Sequence, residues 1–360
     1  MTAFGAADSM KRIVISGYYG SGNIGDEAVL AGILAGLNQV GADAQVTVIS
    51  ADPARTVREH PGVKAVGRIA LCSITRAILS ADLLISGGGS LFQDATSARS
   101  AYYYLVILRL AQILRRKTMI YAQGIGPLRR AHIRVAVANA LGKADAITVR
   151  DRDSALLLQQ MGVYRQAVVC ADPSFLVDPD LDAADRIIRD AGLSGLEIAG
   201  VSLRCWPGYS GWLARAAKVI IETCREIGVT PVFVPMQEPE DAAFGDGAPS
   251  LSHGGDPRVA KGLIARCSLV VGMRLHSLIF AAGAGVPFVP IAYDPKVASF
   301  ASEMGIAAVK IGDRDFDVLA QTIREAWRNR DETARALMAG SAELRQSALL
   351  PAEAVAELVA

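Results

Sequence analysis

Leu269-Val270-Val271-Gly272-Met273-Arg274-Leu275-His276-Ser277-Leu278-Ile279-Phe280-Ala281-Ala282 reads as a strand, a short polar loop and a buried helix. The run Leu269–Val271 is apolar without alternation, as in a strand covered on both faces. Leu278–Ala282 is equally apolar and suits a buried helix. Arg274 and His276 therefore fall where the strand ends and the helix begins, the edge at which ligands collect in open α/β sheets. A cation and a titratable imidazole beside a helix N-terminus suit an anion such as a phosphate or carboxylate. The alternative is a core histidine and a surface arginine in an ordinary connection.

The same rhythm extends in both directions. In the first half, strands are expected at 12–16, 46–50, 83–86, 118–123, 146–150 and 167–171, with helices at 26–40, 98–115, 130–143 and 154–161. After a less patterned stretch the rhythm restarts, with strands at 198–204, 231–236, 269–272 and 288–292. Helices follow at 212–227, 257–267, 277–284 and 296–304, and the tail beyond Asp317 is helical. The uniformly apolar strands imply parallel sheets with helices on both faces. The expected architecture is α/β, two Rossmann-like domains facing each other across a cleft. The expected boundaries are 1–177, a linker at 178–195, a second domain at 196–330 and a helical tail at 331–360. The acidic, then Gly-rich stretch 237–255 reads as a mobile loop.

With 360 residues, two domains are the prior, and 51% hydrophobic with 20% charged residues fits a well-packed enzyme-like protein. A net charge of +1 gives no reason to expect nucleic acid, so any anion site must be local. The five cysteines form no C-x-x-C pair and read as reduced, buried thiols of a cytosolic protein. Residues 1–10 carry no signal-peptide pattern. The most lipophilic window, Ala101–Leu114, is broken by Arg109 and Gln112 and is too short to span a bilayer. Residues 101–108 read first as a buried helix, with a membrane-facing patch as the alternative.

The first loop contains Gly20-Ser21-Gly22-Asn23-Ile24-Gly25, a G-x-G-x-x-G match, and Asp52 stands near the end of the second strand. Against a dinucleotide site, Gly17-Tyr18-Tyr19 lengthens the turn, and Asp26 and Glu27 in the first helical turn would repel a pyrophosphate. A sugar hydroxyl would accept such carboxylates. Gly87-Gly88-Gly89-Ser90 follows another strand, with Gln93 and Asp94 available to a sugar, or the glycines serve tight packing. Gln123-Gly124-Ile125-Gly126-Pro127 and Val149-Arg150-Asp151 end the next two strands, and Asp172-Pro173 reads as a turn or a site. In the second half, Arg204, Arg274, His276 and Lys296 all fall at strand ends, a cluster that would focus a small multi-anion. No metal-ligand spacing, P-loop or nucleophile elbow occurs.

Seven strings in order carry a resemblance: Gly22–Glu27, Gly87–Ser90, Gln123–Pro127, Val149–Asp151, Ser202–Arg204, Gly272–His276 and Tyr293–Lys296. Together they resemble the polysaccharide pyruvyl transferase family, its bacterial CsaB type most closely. The resemblance implies a GT-B-like fold and transfer of the enolpyruvyl carbons of phosphoenolpyruvate to a sugar. The product is a 4,6-ketal, with phosphate released and no cofactor beyond the donor substrate. It further implies an N-acetylmannosamine unit of a lipid-linked cell-wall glycan precursor as acceptor, in a pathway that anchors surface-layer proteins. The expected setting is cytoplasmic, with peripheral contact at the inner face of the membrane. Nucleic acid is not an expected partner, and no oligomeric state is implied.

On that basis Arg150, Arg274 and Lys296 form the donor clamp, with Arg204 second in rank and Leu275 and His276 beside them. His276 is the general acid and Asp26 the first choice of base, ahead of Glu27 and Asp94. Asn23, Asp26, Glu27, Gly88, Gly89, Gln93, Asp94 and Gln123 are expected on the acceptor side. The rival enzyme reading is a GT-B nucleotide-sugar glycosyltransferase. A nicotinamide-dependent oxidoreductase using Asp52, and a non-catalytic binding protein, are the others.

Overall fold

The computed structural model describes residues 10–94, 98–238, 240–244, 247–312 and 315–360. Expectations for residues 1–9, and for positions 239, 245 and 246 of the acidic loop, lie outside them. In chain order the first half runs β1 (Lys11–Tyr19), α1 (Ile24–Gln39), β2 (Ala44–Ser50), α2 (Pro53–Glu59), β3 (Lys64–Gly67), α3 (Leu71–Leu79), β4 (Leu83–Gly87), α4 (Ala98–Ile113), β5 (Lys117–Gln123), α5 (Ala131–Leu141), β6 (Ala146–Val149), α6 (Arg152–Gln160) and β7 (Ala167–Val169). The second half runs α7 (Leu181–Asp190), β8 (Ile198–Ser202), α8 (Ser210–Glu226), β9 (Thr230–Phe233), α9 (Pro257–Ala265), β10 (Leu269–Gly272), α10 (Leu275–Ala284), β11 (Phe288–Ala292), α11 (Pro295–Glu303), β12 (Val309–Lys310), α12 (Phe316–Arg328), α13 (Arg330–Ser347) and α14 (Leu350–Val359). Short 3₁₀ turns cover Pro173–Leu176 and Glu240–Phe244.

Each half builds a wholly parallel sheet. The first has seven strands in the order β3-β2-β1-β4-β5-β6-β7 and the second five in the order β12-β11-β10-β8-β9. Ile13, Val14 and Ile15 of β1 and Val270 and Val271 of β10 are all buried, as strands covered on both faces require. In a parallel sheet the loops after the strands share one edge. The order reverses between β1 and β4 in one sheet and between β8 and β10 in the other, the switch points at which such folds bind ligands.

The compact units do not follow the linear division into 1–177, a linker and 196–330. Among the described residues, those within 10–21, 34–169 and 350–360 form one unit, and those within 22–33 and 170–349 the other. The division passes through α1. Its first turns belong to the second unit because Gly25 and Gly32, seven residues apart on one helix face, let the backbone come close. A Cβ on Gly32 would stand 2.0 Å from the carbonyl oxygen of Pro173. The expected linker is not a linker: α7 lies within it, capped by Asp180 and packed on α9. The tail is likewise no separate element, since α14 packs on β5.

Three further features depart from the sequence reading. β3, α2 and α3 were not anticipated: β3 and α2 are only four and seven residues long with few apolar positions, and the Leu71, Ile74, Ile78 spacing of α3 went unread. Gly17–Tyr19 is a bulged continuation of β1, where the Tyr19 ring folds under Gly17 and its hydroxyl donates to the carbonyl of Gly87 at 3.2 Å. In the stretch expected to be mobile, Pro249–Leu251 is hydrogen-bonded to Phe233, and Asp241 is 1% exposed in its 3₁₀ turn. No described helix is long and apolar enough to cross a membrane.

Candidate active site

The second unit gathers its polar residues at the carboxyl edge of the five-stranded sheet. Ser202 of β8 pairs with Gly272 of β10, and the backbone N–H of Met273 donates to Ser202 at 2.8 Å. Arg204 and Arg274 each lie two residues beyond that pair. Arg274 is the N-cap residue of α10, and Ser277, whose hydroxyl donates to the Arg274 carbonyl at 2.6 Å, closes the turn. Lys296 begins α11 after Asp294, which caps that helix. The four basic positions singled out in the sequence are therefore strand-end residues of one sheet.

Their environments differ. Arg274 is buried and gripped by Asp241: Nε donates to Oδ2 at 2.8 Å and Nη2 to Oδ1 at 2.7 Å. Nη2 also donates to the side chain of Gln237 at 3.2 Å. Asp241 Oδ2 takes two more bonds, from the backbone N–H groups of Met236 and Gln237. A fork-to-fork pair of this kind fixes the guanidinium plane. It leaves Nη1 as the one guanidinium nitrogen with no hydrogen-bond partner among the described residues. Arg204 stacks between Trp206 and Tyr293, 5.2 Å from each ring, and donates to the Tyr293 hydroxyl at 3.0 Å. Its Nε is buried with no partner among the described residues. Lys296 is partly exposed, with Nζ 4.0 Å from Asp294.

His276 sits in the first turn of α10, against the start of α1. A Cβ on Gly25 would stand 2.1 Å from its Nδ1, so only glycine admits the ring. On the other side Nε2 lies 3.6 Å from Oδ2 of Asp172 and is buried without a hydrogen bond among the described residues. Asp172 is 2% exposed, and its Oδ1 caps the turn Pro173–Leu176 by accepting from the Ser174 N–H at 2.9 Å. Lys261 holds the far end of that turn, donating to the carbonyls of Ser174, Phe175 and Val177. Burial, reinforced by the Arg345 charge, pulls the Lys261 ammonium down to about 8. α1 is tied to the same unit by Asn23, which bridges Gln237, and by the Ile24 N–H donating to Met236 at 2.9 Å. Asp26 follows Gly25 and is half-buried, while Glu27 is 1% exposed. Asn23, Asp26, Glu27, Arg274, Leu275 and His276 thus belong to one compact unit, with Arg204 and Lys296.

Arg150, Gly88, Gly89, Gln93, Asp94 and Gln123 belong to the other unit. They line the carboxyl edge of β4, β5 and β6. Arg150 lies over Gly124, where a Cβ would come within 2.7 Å of Nη2, and donates to the Ser90 hydroxyl at 3.3 Å. Gln123 is buried and donates to the Ser86 hydroxyl at 2.9 Å, while its Oε1 has no partner among the described residues. Gly88 and Gly89 have positive φ and knit the β4 loop to the β5 loop through backbone bonds. Asp94 has a structural task. Its two carboxylate oxygens accept from the N–H groups of Arg129 and Arg130, each at 2.7 Å. Burial pushes this carboxyl up, but those two bonds and the Arg130 and Arg129 charges outweigh it and hold it below its ordinary value.

The glycines of the first loop have a packing role. A Cβ on Gly20 would stand 2.1 Å from the Ser50 hydroxyl, and Asp52 caps α2 by accepting from Arg55 at 3.0 Å. Asp172, Asp241, Gln237 and Lys261 were not assigned roles from the sequence. Asp172 closes a strand-like run and so carried a signal. Asp241 sits in an acidic stretch with no pattern that points to Arg274.

Two parallel α/β units with polar residues at their carboxyl edges define the architecture of GT-B glycosyltransferases and sugar-nucleotide epimerases. The chain matches the polysaccharide pyruvyl transferase family over residues 23–295 and belongs to that family. Solved structures share the fold at low identity. Anabaena HepE in complex with UDP-glucose is 14% identical with a TM-score of 0.65, over 96% of this chain and 98% of its own. A putative UDP-N-acetylglucosamine 2-epimerase from Listeria monocytogenes is 11% identical with a TM-score of 0.66, over 96% and 95%. A UDP-glucose: anthocyanidin 3-O-glucosyltransferase in complex with UDP is 10% identical with a TM-score of 0.62, over 98% and 99%. No curated protein matches the chain.

Proposed function

We propose that the protein transfers the pyruvyl group of phosphoenolpyruvate to two hydroxyls of a sugar, giving a 4,6-ketal and inorganic phosphate. The observation that carries this reading, alongside the family match, is the His276 imidazole held between Gly25 and Asp172, two residues along from an Arg274 whose guanidinium is fixed by Asp241. The donor is a small trianion, and its carboxylate and phosphate call for several cations. Arg274, Arg204 and Lys296 are the donor residues of the second unit, with Leu275 flanking them. Arg150 is the donor residue proposed on the first.

His276 protonates the methylene carbon of the donor, which becomes the methyl group. The central carbon becomes an oxocarbenium-like electrophile. One sugar hydroxyl forms a C–O bond to it and loses its proton to a carboxylate, for which Asp26 is the first choice and Glu27 the second. The C–O bond to phosphate then breaks, the leaving charge being met by the same cations, and the second hydroxyl closes the ketal, returning its proton to the now neutral His276. Asn23, Gly88, Gly89, Gln93 and Gln123 are the proposed acceptor contacts. Asp94 serves there through the loop it anchors. The proposed acceptor is a glycan precursor on a lipid carrier, with N-acetylmannosamine the sugar that CsaB-type members would use. The proposed role is cell-wall polysaccharide biosynthesis at the cytoplasmic face of the membrane.

The test is phosphate release from phosphoenolpyruvate, with and without a β-linked N-acetylmannosaminide, followed by mass spectrometry of the sugar. Acceptor-dependent phosphate release with a ketal product supports the reading. UDP release from a nucleotide sugar under the same conditions, with no reaction of phosphoenolpyruvate, would replace it with glycosyl transfer.

A further inference from the structure

Between Lys64 and Lys143 the chain carries twelve Lys and Arg against two carboxylates, Asp82 and Asp94, although the whole chain has a net charge of only +1. This stretch includes α3, α4 and α5, none of which contains an acidic residue. The three helices cover one face of the seven-stranded sheet, and their inward residues, among them Ile78, Leu105 and Val137, join one core. Their outward residues are not the polar set that a solvated face would show.

On α4, Arg99, Tyr102, Val106, Arg109 and Ile113 recur at intervals of three and four, and so form one stripe. Val106 is 59% exposed and Ile113 71%. The stripe continues sideways. Tyr103 donates to the carbonyl of Arg68 at 2.9 Å, which places Ile69, 87% exposed, and exposed Leu71 beside the start of α4. Tyr102 stacks on His132 at the start of α5, with ring centroids 6.4 Å apart, and Val135 on that helix is exposed as well. Isolated surface hydrophobics are ordinary, but exposed ones recurring on one stripe with Arg99 and Arg109, and joined sideways to others, are not.

We propose that the outer face of α3, α4 and α5 docks on an anionic lipid bilayer. Isoleucine, leucine and valine side chains would enter the acyl boundary, tyrosines would sit at headgroup level, and the arginines would reach lipid phosphates with their stems against the apolar surface. Charge complementarity selects this occupant. A nucleic acid would satisfy the guanidinium groups but offer nothing to Ile69, Val106 and Ile113. A second copy meeting the same face would set like charges against each other. No described helix can cross a bilayer, so the contact is in plane.

Vesicle flotation tests the surface. The protein should bind vesicles of equimolar phosphatidylglycerol and phosphatidylcholine, less at high salt, and should not bind phosphatidylcholine alone. V106S/I113S and R99A/R109A should each weaken that binding roughly tenfold or more. Val106, Ile113 and Arg99 are exposed, and Arg109 is half-buried and donates to Gln112 of the same helix, so circular dichroism and thermal unfolding should match the parent. Phosphate release with a water-soluble acceptor should also stay parental, which separates docking from catalysis. Binding to neither vesicle, or equal binding by parent and both variants, overturns the proposal. So does salt-sensitive duplex-DNA binding or a dimer that the same substitutions abolish while vesicles are ignored.

Discussion

Nε2 of His276 faces Oδ2 of Asp172 across 3.6 Å, in a buried setting that offers the imidazole no other carboxylate or hydrogen bond among the described residues. A general acid must hold its ring in one place against the carbon it protonates, and Asp172 and Gly25 flank this one. H276A is expected to lower turnover by about 10²–10⁴-fold. D172N keeps an oxygen to cap Ser174 but removes the charge. It should lower kcat roughly tenfold and leave the KM for phosphoenolpyruvate unchanged. Parental kcat in both variants would remove His276 from the chemistry.

Gly25 and Gly32 separate function from folding on one helix. A Cβ on Gly25 meets the movable His276 ring, whereas one on Gly32 meets the Pro173 backbone carbonyl. G25A should displace the imidazole and lower kcat on the order of 10²-fold with little change in Tm. G32A should lower Tm. Steady-state kinetics beside thermal unfolding reads both, and a silent G25A would mean that the ring position is not needed.

Asp241 and Arg274 are a buried pair, and removing one partner leaves an uncompensated charge. D241N should cost about 3 kcal/mol or more in urea unfolding. It should also free the guanidinium to rotate, raising the KM for phosphoenolpyruvate. An unchanged denaturation midpoint would show that the pair contributes little.

Asp94 makes stability depend on acid. Its folded carboxyl titrates below its ordinary value, so the stabilisation is complete above that ordinary value and is lost as pH falls through the lowered one. D94N should lower stability by about 2 kcal/mol at neutral pH and flatten the acid limb of a Tm-against-pH curve. An unaltered acid limb would place the dependence elsewhere.

Arg150 tests the role proposed for the first unit. R150A should raise the KM for phosphoenolpyruvate about tenfold or more, and R150K should recover part of it. An unchanged KM in R150A would assign Arg150 to packing over Gly124 and Ser90 alone.

The alternation of apolar strands with helices, visible along the chain, carries the class of fold. Strands such as Val270–Val271 and Ile13–Ile15 can be that uniformly apolar only when both faces are covered. Short-range pattern also put Arg204, Arg274, His276 and Lys296 at strand ends, because a residue's place at the end of a strand is a local property. Partnership between distant residues is not local. Nothing in the spelling of residues 237–241 points to Arg274, and nothing in Asp172-Pro173 points to His276. Gly25 looked like part of a nucleotide motif, yet its lack of a Cβ makes room for an imidazole some 250 residues away, a packing fact that exists only once the chain is folded. The interleaving of the two units within α1, and the exposed face of α4 within a window that reads first as a buried helix, were decided in the same way, by which side of each helix meets the core.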